Sequence, residues 1–206
     1  MSKLFRIRDR ESLKAFYYEY LVFCKDTNFF RKFAPHQIPT VMIFRKATVN
    51  DVPQVMRIIN DAVNRMLNEG KCQWSRSYPA PEHILADIQA DCAYVLSDGS
   101  DVLAYGAVIT DGEPAYEALE GDWLSDGQSV VVHRLAVSMA EQSRGNGARF
   151  MKAVEHFAAS QGIGSFKVDT NFDNDRMLHL LDKLGFERCG IIQYPQGERI
   201  AFEKLI

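Results

Sequence analysis

The sequence predicts a single α/β domain, and three observations support this fold class. Strand-like and helix-like apolar patterns alternate along the chain from Ile43 onward. Asp98-Gly99 separates two strand-like runs, which is typical of a β-hairpin. A valine-rich run at 129–138 is followed by a glycine-containing turn and an amphipathic helix. With 206 residues, 47% of them hydrophobic, the chain is long enough to bury one full core.

The first predicted elements are a strand and two helices. Residues 43–47 fit a short strand, and residues 48–51 resemble a capping box that opens a helix. The apolar side chains of this helix recur at helical spacing, at Val52, Val55, Met56, Ile59, Val63 and Met66. Gly70 ends the helix, residues 71–81 form a loop, and a second short helix covers about 81–90.

The middle of the chain predicts three strands. The hairpin joins residues 93–96 to residues 102–109. A polar stretch at 110–128 then interrupts the sheet. Residues 129–138 follow as the most strand-like run of the protein, because they are rich in valine and bounded by turn residues.

The last third of the chain predicts two helices and three strands. After the turn at 142–147, apolar residues form one helical stripe, composed of Phe150, Met151, Val154, Phe157 and Ala158. Residues 166–170 fit a strand. The next helix spans 174–185, beginning with a capping Asn and ending at a Gly. Strands at 189–194 and 199–205 flank a final turn.

Charge is distributed unevenly along the chain. Residues 1–41 carry 8 Lys/Arg and 4 Asp/Glu, a formal charge of +4, whereas residues 42–206 carry 16 and 23, a formal charge of -7. Binding of nucleic-acid phosphates needs a basic face, so the acidic main domain argues against a nucleic-acid partner. An acidic body is compatible with a cationic amine substrate.

Composition also limits location and metal content. Apolar runs are only a few residues long, far short of the roughly 20 residues of a membrane span. The N-terminus lacks the apolar stretch and cleavage site of a secretory signal. We therefore expect a cytoplasmic protein without a membrane partner. The four cysteines form no CxxC pair or histidine-containing cluster, which predicts neither disulfides nor a metal site: Cys24, Cys72, Cys92 and Cys189.

The composition changes near Met42. Residues 1–41 are crowded with Phe and Tyr and end in a turn-prone stretch, whereas the regular α/β pattern begins after them. The expected domain is 42–206, with 1–41 as an N-terminal extension. One hypothesis is that Met42 is the true or an alternative translation start. If the extension is part of the protein, residues 13–23 could form a helix that packs on the domain or on a second subunit of a homodimer.

The turn at 142–147 reads QSRGNG and stands between the longest strand and a helix. Gly145 and Gly147 let the backbone approach a ligand closely, and the free amides of the helix start favour a phosphate. Arg144 could add a charge-assisted contact. A turn this short is, by itself, more typical of an ordinary strand-to-helix connection. Its context decides the interpretation.

The context is a match to a known motif. Residues 133–158, HRLAVSMAEQSRGNGARFMKAVEHFA, resemble motif A of the GNAT N-acetyltransferase superfamily, with Gln142, Gly145 and Gly147 at its defining positions. Residues 174–186, NDRMLHLLDKLGF, look like the superfamily's next helix, and the segment MIFRKATVNDVPQVMRIINDA looks like its first strand and helix. The resemblance covers about 42–206 and is strongest to small bacterial members of unassigned substrate.

This resemblance implies an α/β GNAT acyl-CoA N-acyltransferase fold. Its mixed central sheet would splay between strands 4 and 5, which end near Val137 and Asn171, with helices on both faces. Acetyl-CoA would be the acyl donor, bound in the opening without any metal. By the resemblance, the cofactor-binding residues are Leu135, Ala136 and Val137 along the acetyl-pantetheine arm, Gln142, Ser143, Arg144, Gly145, Asn146, Gly147 and Ala148 around the pyrophosphate, and Asn174 beside the pantetheine.

The implied reaction is direct attack of a neutral amine on the acetyl thioester, and it needs a base. His133 is the candidate, since period-two alternation places it on one side of the strand with Val131, Leu135 and Val137, beside the expected acetyl group. In some family members an acidic residue or a histidine on this strand has that role. The alternative is a core histidine that hydrogen-bonds a neighbouring strand.

The group that protonates the thiolate is harder to assign. Many family members have a Tyr four residues before the last helix's Gly-Phe ending, but here Leu181 stands at that position. Tyr194 and His179 are the candidate acids, and Tyr116 or solvent could substitute.

The acceptor site is expected in the loops and at the end of the fifth strand. Candidate substrate-binding residues are Trp74, Tyr78, Tyr116, Trp123, Asp169 and Asn171. For each aromatic residue, a role as an ordinary core anchor is the alternative. For Asp169 and Asn171, the alternative is that they satisfy hydrogen bonds at the end of the strand. The expected acceptor is a primary amine of a small molecule. Two further possibilities are a non-catalytic acyl-CoA sensor or partner-binding module and a protein or peptide N-acetyltransferase.

Overall fold

The computed structural model describes residues 42–99, 101–139 and 145–206. Their strands form one eight-stranded mixed sheet in the order β1-β2-β3-β5-β6-β8-β7-β4. The strands are β1 (Met42–Lys46), β2 (Ala93–Asp98), β3 (Asp101–Ile109), β4 (Leu119–Gly121), β5 (Ser129–Val137), β6 (Ser165–Thr170), β7 (Glu187–Tyr194) and β8 (Gly197–Leu205). The predicted α/β class and the predicted hairpin, now β2 and β3, are confirmed.

Four helices cover the two faces of this sheet. They are α1 (Val52–Asn68), α2 (Pro81–Gln89), α3 (Asn146–Ser160) and α4 (Asp175–Leu184). The apolar stripe of α3 packs with Leu181 of α4 and with Ala104 in one core cluster. The stripe of α1 packs with Ile84 of α2 and with Tyr105 in another. Because Ala104 and Tyr105 are neighbours on β3, their side chains point to opposite faces of the sheet. Helices therefore lie on both faces, as predicted.

The sheet opens between β5 and β6, which form its parallel pair. They pair only over Ser129–Val131 with Ser165–Lys167, although β5 continues to Val137 and β6 to Thr170. The strands diverge beyond that point, so the predicted splay is confirmed. It falls between the fourth and fifth predicted strands, which are the fifth and sixth of the structure. The stretch 110–128 contributes the extra strand, since Leu119–Gly121 forms β4 and pairs with β7.

Helix ends next to the splay follow the predicted signals. Gly145 precedes α3 with a φ of 75°, a left-handed conformation that glycine adopts without strain. Asn174 caps α4, because its side-chain oxygen accepts a hydrogen bond from the Met177 amide at 3.3 Å. Gly185 ends α4 with a φ of 78°. Within the described part of the chain, no helix is both long and apolar enough to cross a membrane.

Candidate active site

A β-bulge in β5 lies immediately after His133. Pairing with β3 is regular up to His133, and then Arg134 and Leu135 together face the single residue Gly106. The extra residue is accommodated at Arg134, whose φ of 56° lies in the left-handed region that non-glycine residues rarely adopt. The bulge therefore interrupts the alternation of side chains along the strand.

The bulge corrects one sequence-based expectation. Leu135 and Val137 do not share a side of β5 with His133. They pack in the core cluster of α3, which contains Phe150. Val131, which lies on the His133 side, packs in a different cluster on the other face. One inserted residue shifts the alternation by one position, so the residues after the bulge turn to the opposite face.

His133 lies between two carboxylates. Its Nε2 atom is 2.6 Å from Glu113 Oε2, and its Nδ1 atom is 3.9 Å from Asp169 Oδ2. An ionised carboxylate only accepts hydrogen bonds, so Nε2 donates to Glu113, which leaves the lone pair of the neutral ring on Nδ1. The basic atom of the imidazole thus faces Asp169 across the opening between β5 and β6.

Two tyrosines complete the group around Asp169. The hydroxyls of Tyr116 and Tyr194 donate to Asp169 Oδ2 at 3.0 Å and 3.1 Å. Burial, followed by the Asp169 charge, raises the pKa of both phenols well above the ordinary value. Both side chains are therefore protonated donors at neutral pH. We call His133, Glu113, Asp169, Tyr116 and Tyr194 the His133 cluster.

The stretch before β5 supplies a wall of this cluster. The indole of Trp123 packs on the Tyr116 ring with centroids 5.2 Å apart, and its Nε1 donates to the Tyr116 carbonyl at 3.2 Å. Lys167 Nζ lies over the Trp123 ring, 4.4 Å from its centroid. The structure therefore brings His133 together with three of the candidate substrate-binding residues: Tyr116, Trp123 and Asp169.

Glu113 is the member of the cluster that the sequence analysis missed. It precedes the short 3-10 helix Pro114–Ala118, and its Oε1 atom accepts from the Ala115 amide at 3.3 Å. The hydrogen bond from His133 holds the pKa of Glu113 below its usual value of 4.5 against the effect of burial. Its position as the capping residue before Pro114 was a usable local signal, but its approach to His133 depends on the tertiary fold.

The N-terminus of α3 forms the other end of the splay. Gly147 faces the end of β5 and α4, since an added Cβ would be in ordinary contact with Val137 Cγ2 at 3.4 Å and Leu180 Cδ2 at 3.5 Å. The predicted pyrophosphate residues Gly145, Asn146, Gly147 and Ala148 are all at this helix start. Gln142, Ser143 and Arg144 lie outside the described residues.

A basic cleft runs beside this helix start. Its volume is about 460 Å³, and its lining is Gly145, Ala148, Arg149, Lys152, Lys183, Leu184 and Lys204. Lys204 also binds Glu155, with Nζ at 3.0 Å and 2.8 Å from the two carboxylate oxygens. A glycine-lined helix start beside four cationic side chains has the shape and charge to hold phosphate groups.

Comparison with known proteins identifies the family. The sequence matches the Acetyltransferase (GNAT) family over residues 61–186. This chain belongs to the GNAT acetyltransferase family. A GNAT-family acetyltransferase from Streptococcus agalactiae 2603 is similar in structure, with 31% identity, a TM-score of 0.73, and coverage of 81% of this chain and 96% of that chain. A comparison with curated proteins gives no match.

More distant structures share the fold of this GNAT protein, and their names give acceptors that differ from one another. The ribosomal-protein-S18-alanine N-acetyltransferase from Escherichia coli is 14% identical, with a TM-score of 0.55 and coverage of 81% and 94% of the two chains. An agmatine N-acetyltransferase variant is 17% identical, with a TM-score of 0.57 and coverage of 80% and 99%. At such identities the likeness shows the fold alone, so the acceptor must be inferred from the site itself.

Three predicted site residues of the GNAT protein lie elsewhere. Trp74 is buried, 7% exposed, in the core cluster of α1. Tyr78 packs against His83 of α2, and its hydroxyl lies 3.5 Å from Arg134 Nη1. His179 is exposed on α4 and makes no hydrogen bond to any of the five residues of the His133 cluster. The expected pocket role of Trp74 and acid role of His179 are therefore not supported by their positions.

Asn171 and Asn174 lie at the end of β6 and the start of α4. The Asn174 Nδ2 atom donates to Gln73 Oε1 at 2.9 Å and to Thr170 Oγ1 at 3.1 Å, so the side chain ties the loop after α1 to the splay. Asn171 Oδ1 is buried without a hydrogen-bond partner among the described residues. Leu181 is fully buried in the α3 core cluster and supplies no proton donor.

Members of the GNAT family generally use acetyl-CoA, and the residues present fit that donor. The anionic phosphates match the basic cleft and the helix start that borders it. No group of three or more His, Cys, Asp or Glu side chains in the described ranges could hold a metal ion.

Proposed function

We propose that this protein transfers the acetyl group of acetyl-CoA to a primary amine of a small, cationic molecule, with His133 as the base. The observation that carries the proposal is the position of His133, which donates to Glu113 through Nε2 at 2.6 Å and presents Nδ1 to Asp169 at 3.9 Å. His133 and Asp169 lie on β5 and β6 beyond the paired segment, where the two strands splay apart.

The first task of the site is to bind an ammonium group. A primary amine has a pKa of about 10 and enters protonated at neutral pH. A nitrogen about 2.8 Å from both Nδ1 and Asp169 Oδ2 would bridge their 3.9 Å separation at an angle of roughly 90°. The two carboxylates Glu113 and Asp169 favour this cation. The wall formed by Tyr116 and Trp123 supports a small acceptor rather than an extended chain.

The second task is to remove a proton so that the amine can attack. His133 Nδ1 takes this proton as general base, and the resulting imidazolium lies between the carboxylates of Glu113 and Asp169. Glu113 also fixes the tautomer, because its hydrogen bond keeps the other ring proton on Nε2. The tyrosine hydroxyls hold Asp169 in place through their hydrogen bonds to Oδ2.

The donor supplies an activated thioester when it is bound. Amides of residues 143–148 would hold its pyrophosphate, Lys152 and Lys183 would approach its phosphates, and main-chain groups of Leu135 and Val137 would bind the pantetheine arm, with Asn174 nearby. This assignment is supported by the charge of the cleft and by its continuity with the start of α3.

The departing thiolate does not require an acid from the protein. A thiol has a pKa of about 8.5, so a thiolate is a stable leaving group near neutral pH. The pKa of Tyr194 is raised by burial and by Asp169, which makes this phenol a poor acid for the step. We assign Tyr194 to holding Asp169 and leave protonation of the thiolate to solvent.

A screen of amines tests the proposal. Purified full-length protein is mixed with acetyl-CoA and with polyamines, amino acids, aminoglycosides or peptides that have free N-termini, and thiol release is followed. We expect a small cationic amine to accelerate release and peptides to have little effect. Binding of acetyl-CoA without acceleration by any amine would support a non-catalytic module, and preference for peptides would support a protein N-acetyltransferase.

A further inference from the structure

The left-handed residue of the β5 bulge is held by a buried ion pair. Arg134 Nε donates to Asp87 Oδ2 at 2.9 Å, and Arg134 Nη2 donates to Asp87 Oδ1 at 2.5 Å. Asp87 is 6% exposed and belongs to α2. Such two-bonded contacts between Arg and a carboxylate fix orientation as well as distance.

The same carboxylate also holds the strand opposite the bulge. The hydroxyl of Tyr105, on β3, donates to Asp87 Oδ2 through a short hydrogen bond. Tyr105 is fully buried and pairs with Ala136, the residue at which regular pairing resumes after the bulge. Asp87 therefore connects α2 to both strands that form the bulge, with one contact on each strand.

The bulge determines how two parts of the proposed site relate to each other. His133, before it, faces Glu113 and Asp169, whereas Leu135 and Val137, after it, pack on the α3 side. A regular strand would place the side chains of all three on one face. The His133 side chain can face one side of the sheet while the side chains of Leu135 and Val137 face the other only if the extra residue of the bulge stays at Arg134.

We propose that Arg134 and Asp87 are positioning residues, which hold the bulge so that His133 and the following main chain of β5 are correctly placed for acetyl transfer. This inference rests on the proposed function of His133. Neither residue touches the reacting atoms. Their contribution is to stabilise a left-handed conformation that the backbone of a non-glycine residue otherwise disfavours.

Glycine separates backbone conformation from other effects of the ion pair. The double variants Arg134→Ala/Asp87→Ala and Arg134→Gly/Asp87→Ala both remove the pair and leave no unpaired charge. Glycine adopts a φ near 56° without strain, whereas alanine does not. We expect kcat to fall about 10-fold or more and the KM for acetyl-CoA to rise in the alanine form, and both values to return most of the way to wild type in the glycine form.

A second two-bonded Arg–Asp pair provides a matched control. Arg45 Nη1 and Nη2 donate to Asp51 Oδ2 and Oδ1 at 2.8 Å each, between β1 and the start of α1. We expect Arg45→Ala/Asp51→Ala to lower the melting temperature and to keep wild-type kcat. Equal kcat in wild type and in Arg134→Ala/Asp87→Ala, or no advantage of glycine over alanine at residue 134, would overturn the inference.

Two further measurements cover the remaining outcomes. If the alanine double variant does not fold, Arg134→Lys is the second variant, because lysine keeps the charge but cannot form the two-bonded contact. We expect its kcat to fall severalfold with a near-wild-type melting temperature; unchanged kcat would contradict the inference.

If wild type acetylates no amine, the proposed function fails, and the nuclear magnetic resonance signal of the His133 Nε2 proton tests the positioning alone. That signal should weaken in the alanine form and persist in the glycine form; an equal signal in both would overturn the inference.

Discussion

The two ends of the splay between β5 and β6 have opposite chemistry. The proposed acceptor end contains Glu113 and Asp169 around His133, with aromatic walls. The proposed donor end contains a glycine-lined helix start with Lys152 and Lys183. This difference matches a cation that must lose a proton at one end and an anionic cofactor at the other. A single strand, β5, contributes to both because its bulge turns neighbouring side chains to different faces.

The largest effect should come from removing the base at the acceptor end. His133→Gln keeps a polar side chain that can contact Glu113 but cannot take up a proton. We expect kcat/KM for the amine to fall by about 10²–10⁴, with acetyl-CoA affinity unchanged by calorimetry. His156→Gln, at an exposed position of α3, is the matched control. A fall below about threefold for His133→Gln would remove His133 as the base.

A smaller effect should follow neutralisation of the acceptor end. Asp169→Asn removes the negative charge that faces His133 Nδ1 and weakens acceptance from the two tyrosines. We expect the KM for the amine to rise about 10-fold with little change in acetyl-CoA affinity. Steady-state kinetics measure both values, and the exposed Asp126→Asn is the control. Weaker acetyl-CoA binding with an unchanged amine KM would contradict the assignment of Asp169 to the acceptor end of the splay.

The donor end predicts the reverse pattern. Lys152→Ala and Lys183→Ala should each weaken acetyl-CoA binding about threefold to tenfold, with the loss reduced at high salt. Lys204→Ala should have a smaller effect than Lys183→Ala, because the Lys204 ammonium already binds Glu155. Calorimetry at two ionic strengths measures these affinities, while the amine KM should stay constant. Equal losses for Lys183→Ala and Lys204→Ala, or no loss in any of the three variants, would contradict the proposed path of the cofactor.

The smallest effect concerns stability and pH. The His133 hydrogen bond lowers the pKa of Glu113 in the folded protein. The contribution of Glu113 to the free energy of unfolding is therefore complete above the unfolded pKa of 4.5, and it is lost as the pH falls through the folded pKa. Glu113→Gln should therefore lower the melting temperature by about 1–4 °C at pH 7. Differential scanning calorimetry should show the deficit shrinking below pH 4.5. A deficit that grows in acid would contradict the assigned hydrogen bond.

Local signals in the sequence predicted much of this arrangement. The valine-rich β5, the Asn174 cap and the glycine-lined start of α3 each follow from residue types at a few adjacent positions. The position of the splay followed from resemblance to the GNAT motif. These features are local or belong to one motif, so a single sequence is sufficient to predict them.

Contacts across the fold were beyond the reach of those signals. Arg134 adopts a left-handed conformation beside Asp87, which lies 47 residues earlier in the chain. Because local sequence favours a regular strand there, Leu135 and Val137 were expected on the wrong side. Glu113 reaches His133 through the fold of the 110–128 stretch, and Trp74 is taken into the core by packing with α1.

The pH dependence of kcat/KM for the best amine, compared between wild type and His133→Gln, tests proton removal by His133 most directly. For wild type, we expect a rate that depends only weakly on pH near neutrality, because the His133 ring removes the proton from bound ammonium. The variant should instead rise about tenfold per pH unit toward the amine pKa of about 10, since it depends on amine already neutral in solution. Profiles of the same shape and height in both proteins would contradict proton removal by His133.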